Sequence, residues 1–171
     1  MEAGTGQRRG GSGAVPPPSP CGAPAVVAHT PGQARAALEA AGPRGVVLLS
    51  APGAAGNMGV GWFLALVAQA KDALGPAAAP LHWAVLDCGD APGFALSALR
   101  AGARGLVLDP AAPAFPAVAA AAAEAGAALW AGRPPALDLG RLDLRRAGGR
   151  GHLRLAEWLT GDAVTGPPGL G

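Results

Sequence analysis

The polar residues with the clearest chemical potential form one short cluster, Leu86-Asp87-Cys88-Gly89-Asp90. Two carboxylates lie three residues apart beside a thiol, and such groups can supply a general base, a metal site or a nucleophile. No histidine is close in sequence, and acidic neighbours raise the pKa of a thiol, which lowers its reactivity. Asp90 is also explained as the N-cap of the next helix. Asp87 is therefore the candidate catalytic residue.

A glycine-rich loop at residues 53–61 is the second candidate site. It contains Gly53, Gly56, Asn57 and Gly59 and lies between an expected strand and an expected helix. Backbone amides and the positive end of a helix in such a loop can hold a phosphate or a carboxylate. The glycine spacing fits neither the dinucleotide fingerprint nor the Walker pattern. The alternative interpretation is a flexible turn in a glycine-rich protein.

A repeated segment indicates which elements position these residues. Residues 41–48 and 101–108 are identical at six of eight positions, at an offset of sixty. In each copy a glycine, Gly42 or Gly102, is expected to adopt the left-handed conformation that ends a helix. The apolar run that follows suits a strand covered on both faces. The repeat therefore predicts a chain of alternating β/α units.

The remaining pattern extends these units along the chain. Thr30, Pro31 and Gln33 predict a helix N-terminus with a side-chain cap. The expected strands are 24–29, 45–50, 81–87, 105–109 and 127–130, and the expected helices are 30–42, 58–74, 91–101, 113–125 and 152–159. The last helix could instead be a strand, and the alternation at 137–144 fits a hairpin or an edge strand.

These elements predict one α/β domain over residues 24–160, behind a disordered Gly/Pro-rich leader at 1–23 and before a flexible tail at 161–171. Apolar residues make up 50% of the 171-residue chain and charged residues 14%, so one packed core is expected. About five mostly parallel strands alternate with helices. The sheet is either an open three-layer sheet or a partial β/α barrel.

In either architecture, ligands bind outside the carboxyl ends of the strands. This rule brings Ser50, Asp87, Asp90, Asp109 and Arg133 to one edge together with the glycine-rich loop. We expect them to bind a small anionic molecule, with no metal and no identified cofactor. His29 falls on the same edge, where a lone histidine is usually a satisfied polar residue.

Residues 98–110 resemble the join before the last strand of receiver domains, and equally a unit of aldolase-type barrels. A receiver would carry a lysine where Asp109 stands and an acidic pair where His29-Thr30 stand. An aldolase-type barrel would carry a Schiff-base lysine on a strand, but the single lysine, Lys71, lies in an expected helix. The resemblance therefore implies the fold and neither chemistry, and the sequence leaves open whether the protein is an enzyme.

Composition narrows the partners and the compartment. The net charge is +2, and six of twelve arginines lie at 133–154. A dense basic stripe with exposed aromatics is missing, so nucleic acid is not an expected partner. Cys21 and Cys88 show no metal or disulfide spacing, which favours a reducing cytoplasm. No apolar segment is long enough for a membrane span.

The sequence also fits a second function class. The expected helix and strand at 115–130 carry almost no charge, and such a surface is hard to keep soluble when it is exposed. The alternative is therefore a non-catalytic interaction or scaffold protein of a degenerate enzyme fold, forming a homodimer through these apolar residues.

Overall fold

The structure is a computed structural model that describes residues 22–75 and 82–161. The expected leader and tail lie almost entirely outside these ranges. Strands and helices alternate along the described chain as expected. In chain order they are β1 (Ala25–Val27), α1 (Pro31–Ala40), β2 (Val46–Leu49), α2 (Ala54–Asn57), α3 (Val60–Leu74), β3 (His82–Asp87), α4 (Pro92–Arg100), β4 (Gly105–Val107), α5 (Phe115–Glu124), β5 (Ala128–Trp130), β6 (Ala136–Asp138) and α6 (Arg150–Thr160), with a 3-10 helix at Leu139–Arg141.

The strands form a single parallel sheet in the order β5-β4-β3-β2-β1-β6. This confirms the α/β fold class, with six strands in place of about five. The additional strand is β6, and the edge-strand interpretation of residues 137–144 is correct for its first part. The sheet is not closed into a barrel. None of the helices in the described ranges has the length and apolarity needed to span a bilayer.

The described helices pack on one face of this sheet. The larger apolar cluster joins alternate strand residues to helix side chains such as Leu38 of α1, Phe63 of α3 and Leu155 of α6. The smaller cluster has only strand residues among its buried members, namely Ala25, Val27, Val47, Leu49, Val85 and Val107. Because β1 to β5 are sequential neighbours, right-handed crossovers put each connecting helix on the same side. This arrangement matches the partial-barrel alternative.

The link between β5 and β6 requires the sheet to curl. These strands occupy opposite edges, about 24 Å apart in a flat sheet with ~4.8 Å between strands. The six Cα–Cα steps from Trp130 to Ala136 reach at most about 22 Å, and the link must also return to the amino ends of the strands. Helices need about twice the spacing of strands, so they occupy the convex side. We call the side with the strand-only cluster the concave face.

The two copies of the repeated segment end their helices differently. Gly102 has the expected left-handed conformation, with φ at +88°. The expectation for Gly42 is wrong, since its φ is not positive. Gly42 precedes Pro43, and the proline ring drives the preceding residue toward extended backbone. The helix stops instead at Ala41, which is already extended.

The N-terminus of α1 carries the side-chain cap that the sequence predicts. The reciprocal hydrogen bond differs in one partner, because it reaches His29 and not Thr30. Thr30 Oγ1 accepts a hydrogen bond from the backbone N–H of Gln33 at 3.3 Å. The Gln33 side chain returns to the backbone N–H of His29, one residue before the cap, at 2.8 Å. The cap and the reciprocal bond fix the chain as it leaves β1.

Of two other expected helix starts, one is confirmed and one is wrong. The helix expected at 58–74 is α3, which begins two residues later, after Gly59 at φ +83°, and the short α2 precedes it outside the expected range. Asp90 does not cap α4, whose N-cap is Ala91 without a side-chain hydrogen bond. Gly89, at φ +58°, turns the chain first, and Asp90 lies exposed in that turn one residue too early.

Candidate functional site

Strand alternation brings polar side chains to the carboxyl end of the concave face. Successive residues of a strand point to opposite faces, so every second residue shares a face. Val27 belongs to the concave face, so the residue two positions later along the chain lies on that face as well. In β3, β4 and β6, the residue two positions after a concave-face residue is acidic. The side chains placed at this mouth by the alternation are His29, Asp87, Asp109 and Asp138.

The first group at this mouth is the Asp87 cluster, made of Ser50, Gly53, Asp87, Gly89 and Arg133. Asp87 is 3% exposed. Its Oδ1 accepts hydrogen bonds from the backbone N–H groups of Gly53 at 2.9 Å and Gly89 at 2.8 Å. Its Oδ2 accepts from Arg133 Nη1 in a salt bridge. Both carboxylate oxygens are thus hydrogen-bonded within the protein.

Ser50 completes the cluster from the end of β2. Its hydroxyl accepts from the backbone N–H of Asp87 at 2.9 Å and donates to the Ala51 carbonyl at 3.1 Å. The Ser50 carbonyl in turn accepts from Arg133 Nη2 at 3.0 Å. The cluster therefore joins the loops after β2 and β3 to the link between β5 and β6. The convergence of these residues follows the sequence prediction, and the arrangement serves as an anchor.

The amides of Gly56 and Asn57 donate to the Gly53 carbonyl, but within the described residues no hydrogen bond joins the rest of the glycine-rich loop to the Asp87 side chain. Gly56 packs under the ring of Phe94, which is 3.3 Å from where a Cβ would lie. Asn57 is exposed at the end of α2, and Gly59 forms the break before α3. A four-residue helix has too few aligned peptide dipoles for a strong anion site at its N-terminus. Anion binding by this loop stays a prediction.

Two further acids that the sequence predicts at this edge, Asp109 and Asp90, take no part in the ion pair. Asp109 Oδ1 accepts from the backbone N–H of Ala111 at 2.8 Å, and the Asp109 N–H donates to the Gly89 carbonyl at 2.7 Å. This second bond connects Asp109 to the Asp87 cluster through the backbone. Asp90 is exposed nearby. Neither carboxylate contributes to the salt bridge with Arg133.

The thiol of Cys88 is not poised as a nucleophile. It is 2% exposed, and burial, together with the negative charge of Asp87, raises its pKa to about 12. A thiol with such a pKa has almost no thiolate at neutral pH. Cys88 therefore acts as a small apolar side chain of the core.

Sequence reasoning missed a second polar group, the pair of His29 and Asp138. Their Nε2 and Oδ1 atoms are 2.7 Å apart, and both side chains are 37% exposed. Burial by itself raises the pKa of Asp138, but hydrogen bonds from His29 and the Gly140 amide, and the charges of His29 and Arg141, lower it overall. The alternation around Asp138 is visible in the sequence, but the neighbour of β6 is not.

A cavity of about 850 Å³ lies beside this pair, between α1, α3 and residues 140–145. A Cβ at Gly151 would come within 2.2 Å of the Asp143 carbonyl oxygen, so glycine is needed for α6 to begin against this segment. That contact brings His152 to the cavity. The polar lining residues are Thr30, Gln33, Arg35, Glu39, Gln69, Arg141, Asp143, Arg145 and His152.

No family model, curated protein or solved structure matches the chain. The function is therefore inferred from the geometry of the described residues. In those residues no group of three or more His, Cys, Asp or Glu side chains could hold a metal ion. What the geometry offers is a cavity lined by three arginines and two acids and, next to it, a partly exposed imidazole paired with a carboxylate.

Proposed function

We propose that the protein binds a small anionic molecule carrying a phosphate or carboxylate group in the cavity beside α1. The observation that carries this proposal is the convergence of three arginines and a histidine on one cavity, Arg35, Arg141, Arg145 and His152. Its volume of about 850 Å³ falls within the range of about 300–1,000 Å³ common for small-molecule sites.

The arginines differ in how far the protein already neutralises them. Arg35 forms a 3.1 Å salt bridge with Glu39. Arg141 lies 3.7 Å from Asp138, which is a weak interaction for an exposed side chain. Arg145 has no ion pair among the described residues. Arg141 and Arg145 therefore supply guanidinium groups that can bind an anion in a bidentate manner.

Two further features of the cavity favour an anion or a polar ligand. Thr30, Pro31, Gly32 and Gln33, at the start of the ten-residue helix α1, line it, and the N-terminus of a helix carries a partial positive charge. His152 Nδ1 is buried without a hydrogen-bond partner among the described residues. A bound ligand would remove the cost of leaving this atom unsatisfied.

The cavity supports anion binding better than the edge formed by β2 and β3. At that edge the cation expected to bind the ligand, Arg133, is paired with the buried carboxylate of Asp87. An incoming anion would have to displace this carboxylate, and breaking a buried ion pair is costly. The ligand class inferred from the sequence is retained, and its location moves toward β1 and β6.

Thermal unfolding in the presence of inorganic phosphate, citrate and glucose tests this function. A ligand at 100 times its Kd stabilises the folded state by about 2.7 kcal/mol, so phosphate or citrate should raise the Tm while glucose should not. The double variant Arg141→Gln/Arg145→Gln should lose this response. Arg100→Gln is the matched control, because Arg100 is exposed on α4 and does not line the cavity.

Sodium chloride at equal ionic strength separates specific binding from general salt effects. If neither anion raises the Tm beyond the sodium chloride control, anion binding in this cavity is wrong. The same conclusion follows if Arg100→Gln lowers the response as much as the double variant does.

A homodimer is the second candidate, and the position of β5 favours it. β5 is an edge strand that pairs only with β4 in the described structure, and its three residues are half-buried. An exposed strand edge can pair with a second copy of the chain. Sedimentation at micromolar concentration distinguishes the two states, and a monomer would remove this candidate.

We also propose that the protein works in a reducing cytoplasm. The support comes from cysteine usage. Cys88 is a buried free thiol, as is common in proteins that are not exposed to an oxidising compartment.

A further inference from the structure

His29 and Asp138 lie next to each other because β1 and β6 are parallel neighbours. In the register of these strands Val27 lies opposite Asp138, and His29 comes one two-residue step beyond Val27 on the same face. The imidazole and the carboxylate therefore lie side by side at the mouth of the concave face. Neither residue belongs to the Asp87 cluster or lines the cavity.

The hydrogen bond between them determines which ring nitrogen carries the proton. Asp138 Oδ1 lies 2.7 Å from His29 Nε2 and also accepts from the Gly140 N–H at 2.9 Å. An ionised carboxylate only accepts hydrogen bonds, so Nε2 is the donor and the lone pair of the neutral ring is on Nδ1. No hydrogen bond reaches Nδ1 from the described residues, and the side chain is 37% exposed.

The surroundings hold this ring in one orientation. Gly140 packs against it, since a Cβ at residue 140 would lie 3.1 Å from two ring atoms of His29. The backbone N–H of His29 donates to Gln33 Oε1 at 2.8 Å, and Gln33 Nε2 donates to the Leu139 carbonyl at 3.1 Å, so the backbone that carries the ring is also held. A side chain that is oriented before any ligand arrives loses little entropy when it reacts.

We infer that His29 is a general base, positioned by Asp138, for an O–H group brought to the mouth of the concave face. The O–H group belongs to a ligand hydroxyl or to water. Its proton moves to Nδ1, and the bonding electron pair stays on the oxygen, which becomes a nucleophile. The resulting imidazolium is stabilised by the carboxylate of Asp138. His29 would be the catalytic residue and Asp138 a positioning residue.

Nitrogen NMR of the labelled full-length chain tests the proton position directly. In the wild-type protein the neutral His29 side chain should be in the Nε2–H form with an unprotonated Nδ1. Asp138→Asn should shift this ring toward a mixture of the two tautomers. A wild-type ring in the Nδ1–H form would overturn the inference, and this measurement needs no variant that could fail to fold.

Hydrolysis of p-nitrophenyl acetate tests the base itself, with water as the O–H group. The base-activated water oxygen attacks the ester carbonyl, p-nitrophenolate leaves and acetate forms. The wild-type rate should exceed that of His29→Gln by about tenfold or more, since general bases contribute roughly 10²–10⁴ in evolved sites. Asp138→Asn should lose most of this excess, and His82→Gln, at the start of β3, should keep it.

Equal rates for the wild type and His29→Gln would overturn the proposal. Loss of the excess in His82→Gln as well would do so too, because it would show that no single histidine is responsible. Neither measurement uses an anion that occupies the cavity. A failure here therefore differs from a failure of the proposed function, and either can stand alone.

Discussion

The two polar groups at the mouth of the concave face contain similar residues and differ in burial. In each, an aspartate from a strand end pairs with a basic residue from another segment. The side chains of Asp87 and Arg133 are 5% and 26% exposed, whereas those of His29 and Asp138 are 37% exposed. The buried pair joins three chain segments, and the open pair leaves one ring nitrogen of His29 without a hydrogen-bond partner among the described residues. Burial thus separates a structural anchor from a group that is available for chemistry.

The position of each strand explains this difference. β3 lies between β2 and β4 near the middle of the sheet, so loops on both sides cover Asp87. β6 is an edge strand that is paired only with β1 in the described structure. An edge strand has fewer neighbours to cover its polar side chains, and Asp138 therefore remains partly in solvent.

The largest expected effect comes from removing the two carboxylates in turn. Asp87→Ala leaves two backbone amides and the Arg133 guanidinium without their acceptor, and should lower the free energy of unfolding by about 3–5 kcal/mol. The matched change Asp138→Ala removes hydrogen bonds that solvent can replace, and should cost about 1 kcal/mol. Urea unfolding of both variants measures this. Equal losses would show that burial does not distinguish the two groups.

The reactivity of Cys88 tests how well the core beneath the helices is closed at the carboxyl end of β3. In a Cys21→Ser background, Cys88 is the only thiol. A pKa raised from 9.0 to about 12 lowers the thiolate fraction at about pH 8 roughly a thousandfold, so the native protein should react with a disulfide reagent at least that much more slowly than the urea-unfolded chain. Similar rates in the two states would mean that this end of the sheet is open.

The smallest effect concerns the pH dependence that Asp138 gives to stability. Its folded pKa is lowered from 3.8, so near that pH the unfolded chain binds more protons and stability rises with pH. The contribution is fully present above pH 3.8 and is lost as the pH falls through the folded pKa. The stability difference between the wild type and Asp138→Asn should therefore shrink from about pH 5 to about pH 2. A constant difference would contradict this account.

Local patterns in the sequence were sufficient for the alternating elements and for the cap at Thr30. Each depends on interactions within a few residues, such as a hydroxyl that reaches the N–H three positions later. The convergence of Ser50, Asp87 and Arg133 also followed from a general rule, because parallel strands end at a common edge. The predictions for Gly42 and Asp90 were wrong because the adjacent residues, Pro43 and Gly89, determine the backbone conformation there.

The sequence by itself determined that Ser50, Asp87 and Asp109 reach the carboxyl edge of the sheet, since strand period and chain direction are local properties. Only the tertiary structure decided which side chains pair at that edge. β6 lies beside β1, more than a hundred residues away in the chain, and nothing in either strand specifies that neighbour. The curl of the sheet, the burial of Asp87 and the exposed pair of His29 and Asp138 all depend on this long-range packing.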